Sequence, residues 1–287
     1  MDIIAIIILG FVQALTEWLP LSSKTMDTIV YTQFFNGDKA TILPLLLYLH
    51  IGTMVAAAIY FRKEIFQLTV RFFTACADVL RHTGSNRFLA TASMRATRES
   101  EGKIGFLVAA LAFTGIVGLP ILLLENFVLP SLDAGALFSV MGIGLIITGF
   151  MLTAQHKNRW RSHETAGWKD GVLTGALQGL SAIPGISRAG STTTALVWRG
   201  FDVESAFHLS FLLSIPTVFC MEVVLWLAQG GVSALPISDG LMLAASSFVF
   251  GYLTIEVLIK IAHKINVASL AFVFGIMMLA FGLFGLG

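Results

Sequence analysis

The chain has 287 residues, 56% of them hydrophobic and only 12% charged, whereas soluble domains carry about 25% charged residues. This excludes an ordinary soluble domain and predicts an all-α integral membrane protein. The formal net charge of +1 gives no field of either sign over the whole molecule, so no nucleic acid is expected as a partner and the placement of charges carries the information.

The first apolar run, 3–19, has no Lys or Arg before it and no small-residue cleavage site after it, so it is expected to be retained rather than removed as a signal peptide. It ends in "EWLPLSSKT", Glu17 to Thr25. A spanning helix needs about 20 apolar residues, and a shorter run broken by Pro20 is better read as a re-entrant hairpin, here 3–38. The next segment, about 41–61, is long enough to span. The connection 62–103 opens with "EIFQLTVRFFTACADVL", whose apolar residues recur at helical spacing and predict a helix lying in the interface. Its second part, "TGSNRFLATASMRATRESEGK", is expected to be a polar, mobile connector. Segments 104–125 and 134–155 can span. A second short run, 171–183, breaks at "PGISRAGST" and predicts a re-entrant hairpin over 171–200. Three further spans follow at 205–229, 239–261 and 266–286. Cys76 and Cys220 have neither ligand-like spacing nor a disulfide framework, and are read as packing residues.

Lys and Arg tend to remain in cytoplasmic loops. Eight of the eighteen lie between Arg62 and Lys103, four between Lys157 and Lys169, and two more are Lys260 and Lys264. All share one face if both broken segments return to the side they entered. The predicted layout is therefore six transmembrane helices and two re-entrant helical hairpins, with 62–103 cytoplasmic and both termini outside. The first hairpin enters from outside and the second from inside. "GFVQALTEWLPLSSKT" from Gly10 also resembles "GALQGLSAIPGISRAG" from Gly175. An odd number of crossings separates the two copies, so the halves are expected to be inverted repeats, about 1–155 and 169–287, of one membrane domain, 1–287. Such repeats commonly build a shared polar site near the midplane.

Gln13 and Glu17 are four apart and share a helix face. A carboxylate at membrane depth costs several kcal/mol unless paired, hydrated or metal-bound. Ser22, Ser23 and Lys24 follow; capping the hairpin and the next helix is the alternative duty for Glu17 and the serines. In "PGISRAGSTTT", Gly185 and Gly190 allow close backbone approach. Ser187, Ser191, Thr192 and nearby helical N–H groups form a candidate anion cradle around Arg188, whose planar fork suits phosphate oxygens. The alternative for Arg188 is to snorkel to the interface.

The pattern Gln-x-x-x-Glu, then Pro-x-Ser-Ser, then a distant Pro-Gly-x-Ser-Arg-x-Gly-x-Thr resembles the undecaprenyl-diphosphate phosphatase family, the bacitracin-resistance integral membrane phosphatases. The likeness covers nearly the whole chain, including "IGTMVAAAIYFRKE" and "SFLLSIP" after the two motifs. It implies removal of the terminal phosphate from a C55-type isoprenyl diphosphate, which recycles the lipid carrier for envelope glycan synthesis in the plasma membrane. It also implies a divalent cation, Mg2+ or Ca2+. Carried over by position, Glu17 is the essential acid, metal-binding or acid/base. Gln13 stands where the family accepts Glu or Gln. Ser23 is the nucleophile or phosphate-positioning serine, with Ser22 beside it, and Arg188 is the essential arginine, flanked by phosphate-contacting Ser187 and Thr192. The active site is expected to open outward, and a homodimer is an assembly to be tested. The Trp18 and Lys24 variant of the first motif resembles archaeal members.

Two departures stand out. The family's usual histidine is here Met26, so the proton acceptor is expected to be His50 or Glu17, with His208 also in a segment following a motif. Lys24 either stabilises charge on the phosphoryl oxygens or reaches toward the outer surface. Glu222 and Glu256 are expected at interfaces or in helix pairs. Two rival functions remain at this point: an isoprenyl-phosphate transporter on the same fold, and an inactive lipid-binding or assembly subunit.

Overall fold

A computed structural model of the chain describes residues 1–81, 93–128, 132–154, 160–228, 235–261 and 266–284. The described residues hold eleven α-helices and no strand. Helix α1, Ile3–Trp18, is capped by Asp2, which accepts the Ile4 N–H at 3.2 Å. It ends where Pro20 disfavours helical backbone in the residue before it. Helix α2, Ser23–Ile29, doubles back and relaxes into a π turn over Val30–Phe34. Then come α3, Lys39–Tyr60, α4, Arg62–Arg81, α5, Ser93–Val128, and α6, Ala134–Thr153. Helix α7, Trp168–Gly179, breaks through a short 3-10 turn and the Pro184–Gly185 bend into α8, Arg188–Trp198. Helices α9, Val203–Ala228, α10, Ile237–Ile261, and α11, Val267–Phe284, complete the chain.

Five of these are long and apolar enough to cross a membrane: Thr41–Tyr60, Glu101–Leu124, Ala134–Thr153, Val203–Leu225 and Ile237–Lys260. They match five predicted spans and make this a multi-pass membrane protein. The sixth, 266–286, corresponds to α11, an apolar helix of 18 residues grouped by length with α1. The connection 62–103 needs correction. Helix α4 is there as predicted, but the polar stretch from Ser93 onward is the first part of α5. It contains no Pro, and its Arg and Glu residues are good helix formers. The intervening 82–92 lie outside the described residues.

Helices α1 and α3 lie along α10, α7 lies along α5, and α6 lies along α11. Without a hydrophobic drive between helices in lipid, close backbone approach supplies the packing. A Cβ on Gly175 would run into the Ala110 backbone of α5, and one on Gly142 into the backbone of Gly275 and Leu279 in α11. Asp170 fastens the start of α7: it accepts from both terminal nitrogens of Arg161, at 2.9 and 2.8 Å, and from Nε of Arg199 at 2.7 Å. At the tip of α1, Trp18 is buried against Phe211, ring centroids 5.1 Å apart, and its Nε1 donates to the Gly251 carbonyl at 3.3 Å. Helices α5 and α9 meet through Phe106, Ala110, Ala206, Leu209 and Leu213. Beyond that contact their facing residues line a cavity.

Candidate active site

Helix α1 carries Gln13 and Glu17 inward on one face, 0% and 7% exposed. The α1–α2 turn brings Ser23, first residue of α2, back over them, so that Ser23 Oγ donates to Glu17 Oε2 at 2.8 Å. Gln13 Nε2 donates to the same oxygen at 3.4 Å and to Thr53 Oγ1 at 3.3 Å. From the other half of the chain, Arg188 Nη2 meets Glu17 Oε1 at 2.5 Å. His50 of α3 places Nε2 3.7 Å from Glu17 Oε2, while its Nδ1 lies 2.7 Å from the Leu46 carbonyl. A carbonyl only accepts, so Nδ1 carries the hydrogen and Nε2 is left facing the carboxylate. A hydroxyl, a carboxylate and groups that orient the carboxylate are within reach of one another, the arrangement that a nucleophile and its base require.

The second hairpin supplies the guanidinium. Gly185 has φ +91° and lies against the Met141 carbonyl, a conformation and a space that only glycine fits. This bend delivers Ser187 as the cap of α8, accepting the Gly190 N–H at 3.2 Å, while its own N–H donates to Thr148 Oγ1 at 3.0 Å. Arg188 then opens α8, and its Nη1 is buried without a partner. A cavity of about 240 Å³ holds Glu17, Ser22, Ser23, His50 and Arg188 at its polar end, and continues as an apolar crevice between α5 and α9.

Other predicted residues divide. Lys24, Gly185 and Ser187 also line the cavity, whereas Gln13 sits behind Glu17. Gly190, Ser191 and Thr192 are not on the cavity, and the cradle is correspondingly smaller than predicted. Gly190 packs on Thr148, Ser191 donates to the Ser187 carbonyl at 2.9 Å, and Thr192 pairs with Ser210 of α9 at 2.6 Å. Helical rotation turns these side chains into the α8 packing. Met26 is buried among Phe138, Met141, Leu145 and Met278, turned away from the chemistry. His208 does not face the site either: its Nε2 is 2.8 Å from Glu64 of α4, and its ring stacks on His163 at 4.1 Å. Glu256 pairs with Lys260 at 2.6 Å as expected of a surface pair, but Glu222 has a buried oxygen without a partner. Cys220 is exposed beside the cavity rather than packed. The sequence reading missed Asp27, fully buried on α2, and the cavity residues Gln178, Thr114 and Thr217. Gln178 was visible as the counterpart of Gln13 in the repeat.

Hard divalent cations take oxygen ligands, and magnesium is commonly held by one or two carboxylates with phosphate oxygens and water. Glu17 and the unpartnered Oε1 of Gln13 are donors of that kind. Among the described residues no group of three or more His, Cys, Asp or Glu could hold an ion. The donor set fits a cation completed by substrate phosphate, not a closed protein cage.

The family described as "Bacitracin resistance protein BacA" matches residues 6–284. The chain belongs to this family. Among curated BacA-like relatives, a protein of Methanococcoides burtonii named undecaprenyl-diphosphatase is 38% identical over 264 residues, 91% of each chain. One of the same name from Haloarcula marismortui is 31% identical, covering 95% of this chain and 94% of its own. Another from Saccharolobus solfataricus is 32% identical over 96% and 94%.

Proposed function

We propose that this protein hydrolyses an undecaprenyl-type isoprenyl diphosphate to the monophosphate and inorganic phosphate. The observation that carries the reading is one carboxylate, Glu17, bonded to Ser23 at 2.8 Å and to Arg188 at 2.5 Å from the opposite half of the chain. Family membership and the names of the relatives support it; those names lend nothing to the carrier reading. The isoprenyl tail lies in the apolar crevice between α5 and α9, and the diphosphate enters the polar end, where the free Nη1 of Arg188 takes phosphoryl oxygens.

Ser23 Oγ attacks the terminal phosphorus as its proton passes to Glu17, whose carboxylate Arg188 and Gln13 hold in place. The bridging P–O bond breaks, and the departing monophosphate takes that proton. Water then attacks the phosphoserine, the P–Oγ bond breaks, and one water proton returns through Glu17 to Ser23. Glu17 and Gln13, together with phosphate oxygens, would hold a divalent cation, which would supply charge neutralisation for the diphosphate. Lys24, Ser22 and Ser187 add donors around it.

In this reading the two hairpins are re-entrant, α11 is a sixth span, and the halves form an inverted repeat. The Lys and Arg bias puts both termini and the mouth of the site on the outer side of the plasma membrane. Purified protein in detergent, given farnesyl or C55 diphosphate with and without divalent ions, should release phosphate. Ser23→Ala and Arg188→Ala should each lower the rate by about 10²–10³-fold, and His50→Gln should lower it less. Full activity in either of the first two variants would end the assignment.

A further inference from the structure

In the internal repeat, Gln178 stands where Gln13 stands, yet the chemistry above leaves it unused. It is 1% exposed and lines the cavity. Its Nε2 donates to Thr114 Oγ1 of α5 at 2.8 Å and to Thr217 Oγ1 of α9 at 3.0 Å. Both hydroxyls already spend their hydrogens: Thr114 donates to the Ala110 carbonyl at 2.7 Å, and Thr217 to the Leu213 carbonyl at 2.8 Å. Each can therefore only accept from Gln178, which fixes the orientation of the amide. Its Oε1 is turned away from both threonines, buried and with no protein partner. A buried carbonyl oxygen takes a hydrogen-bond donor. Among the described residues that line the cavity, the other buried side-chain atom without a partner is a donor, Arg188 Nη1.

We propose that Gln178 Oε1 holds and orients the water that attacks phosphorus, beside the phosphoryl group held by Arg188. The inference rests on the phosphatase reading. Water donates one O–H to Gln178 Oε1 and turns a lone pair toward the phosphoserine. Its oxygen bonds to phosphorus, the bond from phosphorus to Ser23 Oγ breaks, and its other proton passes through Glu17 to Ser23. The amide orients and takes no proton, the part that a glutamine plays toward attacking water in small GTPases.

The test is rapid-quench kinetics on the purified protein with farnesyl or C55 diphosphate, comparing the unaltered chain with Gln178→Leu and Gln178→Glu. Loss of the water's anchor should slow only the second half of turnover. Gln178→Leu should keep its first-turnover burst of isoprenyl monophosphate and accumulate phosphate on Ser23. Its kcat should fall by about 100-fold, the loss expected of a misplaced reactant, with kcat/KM unchanged because that ratio reports steps up to the first departure. Gln178→Glu, which retains an oxygen there, should recover most of the rate. A defect that is merely structural would lower kcat/KM with kcat and leave no phosphoserine, and that result overturns the proposal. So does a kcat for Gln178→Leu within about threefold of the unaltered protein, or phosphate release with no phosphoserine in any variant. No phosphate release by the unaltered chain would instead remove the phosphatase reading, and this inference with it.

Discussion

Asp27 is fully buried on α2, and neither carboxylate oxygen has a hydrogen-bond partner. A buried polar group left without a partner costs about 1–3 kcal/mol in proteins, so Asp27→Leu should raise the melting temperature in detergent at neutral pH by the equivalent of that range. A lower melting temperature would mean that the folded protein supplies Asp27 with a partner. Glu17 is the opposite case, with both oxygens engaged. Residues of this second kind were legible in the sequence because Glu, Ser and Arg are conspicuous in an apolar chain and need one another there. Asp27 was not, because it follows the serine pair and reads as part of the same turn. Thr192 was misplaced for a geometric reason: one helical turn beyond Arg188 is already past the cavity and against Ser210.

Between elements, a side-chain cluster joins α4 to α5 and α9. Glu64 of α4 receives Lys103 of α5 at 2.6 Å and His208 of α9 at 2.8 Å, with His163 stacked on His208. Burial pushes the Glu64 carboxyl up, but hydrogen bonds and charge from His208 and Lys103 outweigh it and hold it at about 2, against 4.5 for a free side chain. Burial and the neighbouring His208 push His163 down. Glu64 therefore contributes stability that is complete above about pH 4.5 and lost as pH falls toward 2. His163 acts in the same direction, since the unfolded chain takes up its proton first. Thermal melts across that range should fall more steeply with acid for the unaltered chain than for Glu64→Gln; parallel curves would show that the cluster is not coupled to folding. Helix α4 was legible from its periodicity, but its anchor was not, because Glu64 and His208 are 144 positions apart.

For the molecule as a whole, apolar segment lengths carried most of the fold, and five of six predicted spans reappear as long apolar helices. The crevice could not be read that way, since it depends on α5 and α9 diverging after a shared contact. Gly115 lines it and has nothing within 4 Å of where a Cβ would sit. Gly115→Phe should fold normally, raise KM for C55 diphosphate severalfold or more, and affect farnesyl diphosphate less. Equal effects on both lipids would place the tail elsewhere.

The ion pair between Glu17 and Arg188 links residues 171 positions apart. A ribosome adding roughly 5–20 residues per second leaves the acid waiting on the order of ten to thirty seconds for its guanidinium. During that interval Glu17 lacks the guanidinium that the second half of the chain supplies. The final seating of the acid is thus a late event in biogenesis, coming only after Arg188 has emerged, although Glu17 is synthesised well before it.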